Sequence, residues 1–305
     1  MVTKLGFIGL GKMGAPMARN LLNAGFPVTV YDVSQAAVTE LSEAGASTAT
    51  SPAGVARESE ITWMMVHAEQ VGEVLLGDDG FLEGSASGTF VIDGGNCDPV
   101  ESRRHASAAA DAGISYLDAG CSGAPKGANE GSLAIMVGGD EVAYERCFPV
   151  FSVVGGQIAY LGPSGNGHLS KIVNNMITKM SDIVIAEALT LASRSGLDVA
   201  TLLDVITTGT ARSFVLSQAR ELFHDKEEDR YQPTFGEVSS APVGGENQLI
   251  WGIRQATELG LSLPVASLIA EVRKSGPSGG RSEVLRTAAQ LIHRYAGEHI
   301  DSPPQ

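Results

Sequence analysis

Short apolar runs alternate with longer mixed stretches over the first half of the chain, and the alternation stops near residue 162. The runs are KLGFIGL (4–10), PVTVYD (27–32), ITWMMV (61–66), TFVIDGG (89–95), SYLDAG (115–120), LAIMVGG (133–139) and QIAYLG (157–162). Several are apolar at consecutive positions rather than at every second one, which marks strands covered on both faces. The segments between them are long enough for crossover helices, so the pattern predicts an α/β domain built on a doubly wound, mostly parallel sheet over residues 1–163.

Beyond LGPSGNG (161–167) the period changes. From His168 to Ser195 there is no Gly or Pro, and Ile172, Val173, Met176, Ile177, Met180, Ile183 and Val184 recur at helical spacing. One helix of about 40 Å follows from a rise of ~1.5 Å per residue. Further helices are expected around 198–206, 211–223, 246–259 and 264–273. The spacing therefore predicts an all-helical second domain over 164–305, joined to the first by the long helix, with the boundary near Pro163.

Length and composition narrow the class without naming it. With 305 residues and 43% hydrophobic content the chain can bury a sizeable core, and its length suggests about two domains. Neither ITWMMV nor DIVIAEALTLA (182–192) approaches the roughly 20 residues of a membrane span. MVTKLGFIGLGKMG has no secretory pattern, so a cytoplasmic location is expected. Cys97, Cys121 and Cys147 lie far apart with no CxxC and no His/Cys spacing of a zinc site. They read as reduced, buried thiols, and no metal is expected. A formal net charge of −14 argues against nucleic acid and anionic membranes as partners. The charge-dense HDKEEDR (224–230) reads as solvated, and the DSPPQ tail as frayed.

Candidate chemistry begins in FIGLGKMGAPMARNLLNAGFPVTVYD (7–32), where Gly9, Gly11 and Gly14 form GxGxxG between a strand and a helix. Gly9 suits the tight turn, Gly11 lets backbone approach a pyrophosphate, and Gly14 lets helix and strand pack closely. The helix N-terminus supplies N–H groups and a positive dipole end for phosphates. Leu10, Lys12 and Met13, which lie between the glycines, belong to the same loop. Asp32 closes the second strand, where an acid accepts hydrogen bonds from a ribose. No arginine stands there to meet a 2′-phosphate, so a Rossmann domain binding NAD in preference to NADP is expected. Met65 and Val66, ending the third run, are further candidate cofactor contacts.

GLGKMGAPMARNLLNAG together with GNGHLSKIVNN (165–175) resembles the β-hydroxyacid dehydrogenases, the family of 3-hydroxyisobutyrate dehydrogenases and tartronate semialdehyde reductases. DAGCSGAPKGANEGSL (118–133) is similar to that family's substrate loop at Asp118, Ala119, Ser122, Gly123, Gly127, Ala128, Gly131 and Leu133. The resemblance implies hydride transfer between NAD and a small 3-hydroxy acid, in a homodimer or homotetramer. It makes Lys171 the general acid/base, has Asn175 orient the substrate, and has Ser122 with Gly123 hold the substrate carboxylate. Asn96 would lie beside the nicotinamide ribose, and Lys126 could add positive charge near the substrate. Positions i and i+4 share a helix face, so Lys171 and Asn175 can meet one small molecule. An ordinary lysine, with a pKa of about 10.4, is a poor base near neutrality, but burial and the positive ring of bound NAD⁺ both lower it. Taken alone, His67 and His168 read as surface or packing residues.

Two departures qualify the resemblance. Where the family commonly has a Lys-Asp pair ahead of LGxxLP, this chain has Asn247 and Gln248, and the loop EVSSAPVGGEN (237–247) looks longer than usual. IDGGN (92–96) and GNGH (165–168) are closer to 6-phosphogluconate dehydrogenases, whose short NAD-using members form the main alternative. Those enzymes follow the lysine with His-Asn and then a glutamate acid, where Asn174, Asn175 and Thr178 stand here. Their phosphate-binding tyrosine corresponds to Glu130, which would repel a phosphate. A non-catalytic nucleotide-binding protein on the same scaffold is the remaining alternative.

Overall fold

A computed structural model of the chain describes residues 2–224, 246–261 and 263. The chain divides into two compact units, Met1–Lys171 and Ile172–Gln305.

The first unit is built on β1 (Leu5–Ile8), β2 (Val28–Tyr31), β3 (Ser47–Thr48), β4 (Ile61–Met64), β5 (Phe90–Asp93), β6 (Ser115–Ser122), β7 (Leu133–Gly139) and β8 (Gly155–Tyr160). They form one sheet in the order β3-β2-β1-β4-β5-β6-β7-β8. Every neighbouring pair is parallel except β6 and β7. Seven strands coincide with the apolar runs. The exception, β3, is two exposed residues at the sheet edge and carries no apolar signal. Its connections are α1 (Gly14–Asn23), α2 (Gln35–Glu43), α3 (Pro52–Arg57), α4 (Ala68–Leu76), α5 (Phe81–Gly84), α6 (Pro99–Asp111), α7 (Ala124–Glu130) and α8 (Glu141–Val154).

The unbroken apolarity of the strands has a direct cause: both faces are covered. Phe7, Trp63, Ile92 and Leu117 pack with Met17 and Leu21 of α1 and Phe151 of α8. Their chain neighbours Ile8, Met64, Val91 and Tyr116 point the other way, into Val55, Val71, Phe81 and Ala109 of α3 to α6. Successive side chains on a strand alternate between faces, so a strand with helices on both sides must be apolar at every position. Trp63 anchors the first cluster, stacked on Phe7 at 6.3 Å between ring centroids and edge-on to Phe151 at 5.5 Å.

The long helix is α9 (Asn166–Arg194), whose 29 residues span about 43 Å at ~1.5 Å per residue. It begins at Asn166, with Gly167 inside its first turn. Within the second unit, α10 (Val199–Ile206) is capped by Asp198, which accepts from the Thr201 N–H at 2.7 Å. It is followed by α11 (Phe214–His224) and α12 (Glu246–Glu258). Leu189, Val199, Leu203 and Leu216 make a small core there. The helix expected around 264–273, residues 225–230 of the charge-dense segment, and the DSPPQ tail lie outside the described residues.

Candidate active site

Parallel pairing of β1, β4, β5 and β6 puts their carboxyl ends on one side of the sheet, and the strand order reverses between β1 and β4. Open α/β sheets bind ligands in the crevice at such a reversal. Gly9 follows β1, Met65 follows β4, Asn96 lies just past β5 and Ser122 ends β6. These four of the residues singled out from the sequence thus lie at the carboxyl ends of adjacent strands.

At the first of these ends the glycines have three different jobs. Gly9 has φ +93°, and a β-carbon there would collide with the Met65 carbonyl. Gly14 presses on the Gly9 carbonyl, which brings α1 against β1. Around Gly11 a β-carbon would meet nothing within 4 Å, so the loop there is bare backbone open to a ligand. Met13, the N-cap of α1, makes no side-chain cap, and the first turn holds no acid. An uncapped helix start behind a bare glycine is a cradle that fits a pyrophosphate. Leu10 is buried, and Lys12 is exposed on the same loop. Asp32 does more than its position suggested: its Oδ2 accepts from the Leu10 N–H at 2.6 Å and its Oδ1 from the Ser34 N–H at 2.7 Å. It ties the glycine loop to the end of β2, and each oxygen keeps acceptor capacity for a ribose hydroxyl.

Lys171 is placed by close approach of backbone. Asp118, fully buried in β6, accepts from the Gly165 N–H at 2.8 Å and the His168 N–H at 2.9 Å, so one carboxylate serves the N–H groups at the start of α9. A β-carbon on Gly138 of β7 would sit 2.7 Å from the Gly167 nitrogen, and one on Gly120 of β6 would sit 2.6 Å from the Lys171 Cβ. These missing side chains let the first turn of α9 lie directly on β6 and β7. Lys171 is half-buried as a result. Burial pushes its pKa below the ordinary 10.5, and the nearby Cys121 sulfur partly opposes that shift.

Ser122 is half-buried opposite Ala134 on β7. Gly123 has φ +143° and Ala124 φ +57°, a left-handed conformation that costs a non-glycine residue about 1–2 kcal/mol. Such strain concentrates at binding sites. Lys126 is exposed on α7. Asn175, four residues after Lys171 on α9, belongs to the second unit, where its Oδ1 accepts from the Asn174 Nδ2 at 3.0 Å. Asn96 is exposed between buried Gly95 and Cys97. The Asn247 and Gln248 side chains, with residues 237–245, lie outside the described residues.

His168, read from the sequence as a surface or packing residue, is buried in a polar group that the sequence did not reveal. His168 is 1% exposed, with Nδ1 2.7 Å from the Ser102 hydroxyl, which itself donates to the Asp98 carbonyl at 3.0 Å. Asp93 accepts from the Tyr116 hydroxyl at 2.6 Å. Polar residues inside apolar runs were the only signal available. His67, by contrast, is the N-cap of α4, paired with Gln70. Cys97 and Cys147 are buried as expected, whereas Cys121 is half-buried; all three thiols are free, and burial pushes each up to about 12.

Comparison with known proteins matches this arrangement along most of its length. The family model for the NAD binding domain of 6-phosphogluconate dehydrogenase covers residues 4–162, and the model for NAD-binding of NADP-dependent 3-hydroxyisobutyrate dehydrogenase covers residues 165–236. The 2-hydroxy-3-oxopropionate reductase of Escherichia coli (strain K12) is 34% identical over 286 residues, 93% of this chain and 95% of that protein. The chain belongs to the β-hydroxyacid dehydrogenase family.

Other members of the β-hydroxyacid dehydrogenase family are similar over comparable lengths. An NAD-dependent L-serine dehydrogenase of Pseudomonas aeruginosa is 37% identical over 79% of this chain and 77% of its own. The structure of Mycobacterium tuberculosis 3-hydroxyisobutyrate dehydrogenase with L-serine superimposes with a TM-score of 0.78 at 29% identity, covering 94% of this chain and 99% of that one. This β-hydroxyacid dehydrogenase is therefore an oxidoreductase with an N-terminal Rossmann domain for NAD, and one matching family model describes an NADP-dependent enzyme. The fold class and family expected from the sequence are borne out. Among the described residues no helix is long and apolar enough to cross a membrane.

Proposed function

We propose that this enzyme interconverts a small 3-hydroxy acid, of the 3-hydroxyisobutyrate type, with its semialdehyde or ketone, using Lys171 as the proton-transfer group. The observation that carries the reading is the half-buried Lys171, pressed against Gly120 beside the carboxyl end of β6, with its pKa lowered by burial. Bound NAD supplies the hydride acceptor in oxidation and the donor in reduction. The open backbone at Gly11 and the uncapped start of α1 fit its pyrophosphate, with Leu10, Lys12 and Met13 completing the loop. Asp32 would accept hydrogen bonds from the ribose hydroxyls, and Met65, Val66 and Asn96, at the ends of β4 and β5, would contact the cofactor.

Neutral Lys171 Nζ takes the proton of the substrate hydroxyl as the oxygen becomes a carbonyl, and the resulting ammonium returns it in the reverse direction. Ser122 and the Gly123 backbone hold the substrate carboxylate, Lys126 adds positive charge beside it, and Asn175 orients the hydroxyl. Local N–H donors of this kind suit an anionic substrate on a chain of net charge −14. The reading also takes residues 1–163 as the NAD-binding domain and 164–305 as a helical substrate and oligomerisation domain. A homodimer or homotetramer in the cytoplasm completes it. Glu130, exposed on α7, keeps a carboxylate where a 6-phosphogluconate enzyme would place a phosphate-binding group.

The experiment is a screen of 3-hydroxyisobutyrate, glycerate, serine, threonate and 6-phosphogluconate with NAD⁺ and NADP⁺, read as absorbance of the reduced cofactor. Turnover of a 3-hydroxy acid with NAD⁺, abolished in Lys171→Ala with cofactor affinity retained, is the expected result. Tight NAD binding without turnover of any acid, or full activity in Lys171→Ala, overturns it.

A further inference from the structure

Behind Asn96, at the carboxyl end of β5, the first unit buries a group of side chains that the hydride chemistry leaves unused. Asp93 is fully buried, with Oδ1 accepting from the Gly95 N–H at 2.9 Å and Oδ2 from the Tyr116 hydroxyl at 2.6 Å. Among the described residues no lysine or arginine forms an ion pair with it. Cys97, 3% exposed, follows on the loop into α6, and His105, 6% exposed, lies on α6 itself with its ring tilted against Tyr116. One ligand atom from each of Asp93, Cys97 and His105 lies within 4.8 Å of the other two. Nδ1 of His105 is buried and has no hydrogen-bond partner, and the same is true of Nε2 of the neighbouring His168.

A buried carboxylate without a counter-cation and a buried imidazole nitrogen without a partner are both costly unless something satisfies them. One cation held by Asp93, Cys97 and a ring nitrogen of His105 supplies the missing counter-charge. Carboxylate oxygen, thiol sulfur and imidazole nitrogen together form a donor set that suits zinc and its neighbours rather than calcium or magnesium. We propose that Asp93, Cys97 and His105 bind a divalent transition-metal ion, zinc by preference. Bond lengths of about 2.0–2.3 Å put tetrahedral ligand atoms ~3.3–3.8 Å apart, so a pair 4.8 Å apart closes by about 1–1.5 Å, and the fourth position is left to a water. On binding, the Cys97 S–H bond breaks, the proton leaves to solvent and the sulfur bonds the ion, with no change of oxidation state.

The ion ties the end of β5, the following loop and α6 together, and so steadies Asn96. Its role is structural, and it stands whether or not Lys171 transfers a proton. The ligands come from a strand end, a loop and a helix at a spacing of four and eight residues, which matches no common zinc pattern in a sequence.

The test is titration of the metal-free full-length protein with Co²⁺, followed by absorption. A thiolate-to-cobalt charge-transfer band that saturates at one ion per chain and is displaced by Zn²⁺ is the expected result. The band should vanish in Cys97→Ser, persist in Cys121→Ser and Cys147→Ser, and need at least about a hundredfold more cobalt in His105→Ala. Zn²⁺ should also raise the melting temperature of the unsubstituted protein but not of His105→Ala, a readout that remains if Cys97→Ser fails to fold. Absence of a band in the unsubstituted protein, or a band that survives in Cys97→Ser, overturns the proposal.

Discussion

Gly120→Ala should disable the enzyme while leaving its cofactor grip intact. The added β-carbon would sit 2.6 Å from the Lys171 Cβ and 2.9 Å from the Gly167 carbonyl oxygen. Relaxed carbon–carbon contact lies at ~3.5–4.0 Å, so about 1 Å must be made up. Neither neighbour is the loose end of a side chain; one is backbone and the other is the first carbon off it. Relief therefore requires the first turn of α9 to move, although Asp118 holds that turn through Gly165 and His168. Overpacking of this kind costs about 1–3 kcal/mol of stability. Misplacing a catalytic group by ~1 Å costs about a hundredfold in rate, near 2.7 kcal/mol. The assay is kcat at saturating acid and NAD⁺, with the NAD⁺ dissociation constant from intrinsic fluorescence and the melting temperature in parallel. A kcat lowered about a hundredfold, with cofactor affinity within about twofold of the parent, is the expected outcome. An unchanged kcat alongside a lowered melting temperature would refute the reasoning, because Gly120 would then matter to packing and not to the placement of Lys171.

Asp118→Asn replaces an acceptor of two backbone N–H groups by an amide that can serve only one, so urea unfolding should lose about 1–3 kcal/mol; an unchanged midpoint refutes that role. Lys171 gives up its proton at lower pH in the folded protein than in the unfolded chain, so unfolding takes up a proton between the lowered pKa and the ordinary 10.5. Stability contributed by this group therefore rises with pH across that window and is lowest below it. Lys171→Met should accordingly raise the melting temperature at neutral pH while abolishing turnover, and a lowered melting temperature would contradict burial as the cause of the shift. Asp32→Ser should weaken NAD⁺ about ten- to a hundredfold, because the ribose acceptor and the tie to Leu10 are lost together, and weaken NADP⁺ less. Equal losses for both cofactors, measured by fluorescence titration, would limit Asp32 to a loop-holding role.

Most of the architecture is written locally along the chain. Consecutive apolar positions in ITWMMV and TFVIDGG already require helices on both faces, and the uninterrupted helical spacing after His168 already requires one long helix. The glycines of GLGKMG announce a ligand loop because Gly9 and Gly14 are needed for backbone that no side chain would allow. Contacts distant in sequence were not legible, since chain order carries no information about which strand a helix start will meet. Asp118 caps a helix beginning almost fifty residues later, and Gly120 makes room for Lys171. The edge strand β3 and the grouping of Asp93, Cys97 and His105 are equally invisible, the first for want of apolar residues and the second because its members look like isolated polar positions. Sequence alone thus determined the fold class and the family, and pointed to Lys171 through its resemblance to that family. The tertiary structure decided that this lysine is half-buried with its pKa held below the ordinary value, because only the folded sheet brings bare glycine backbone against its helix.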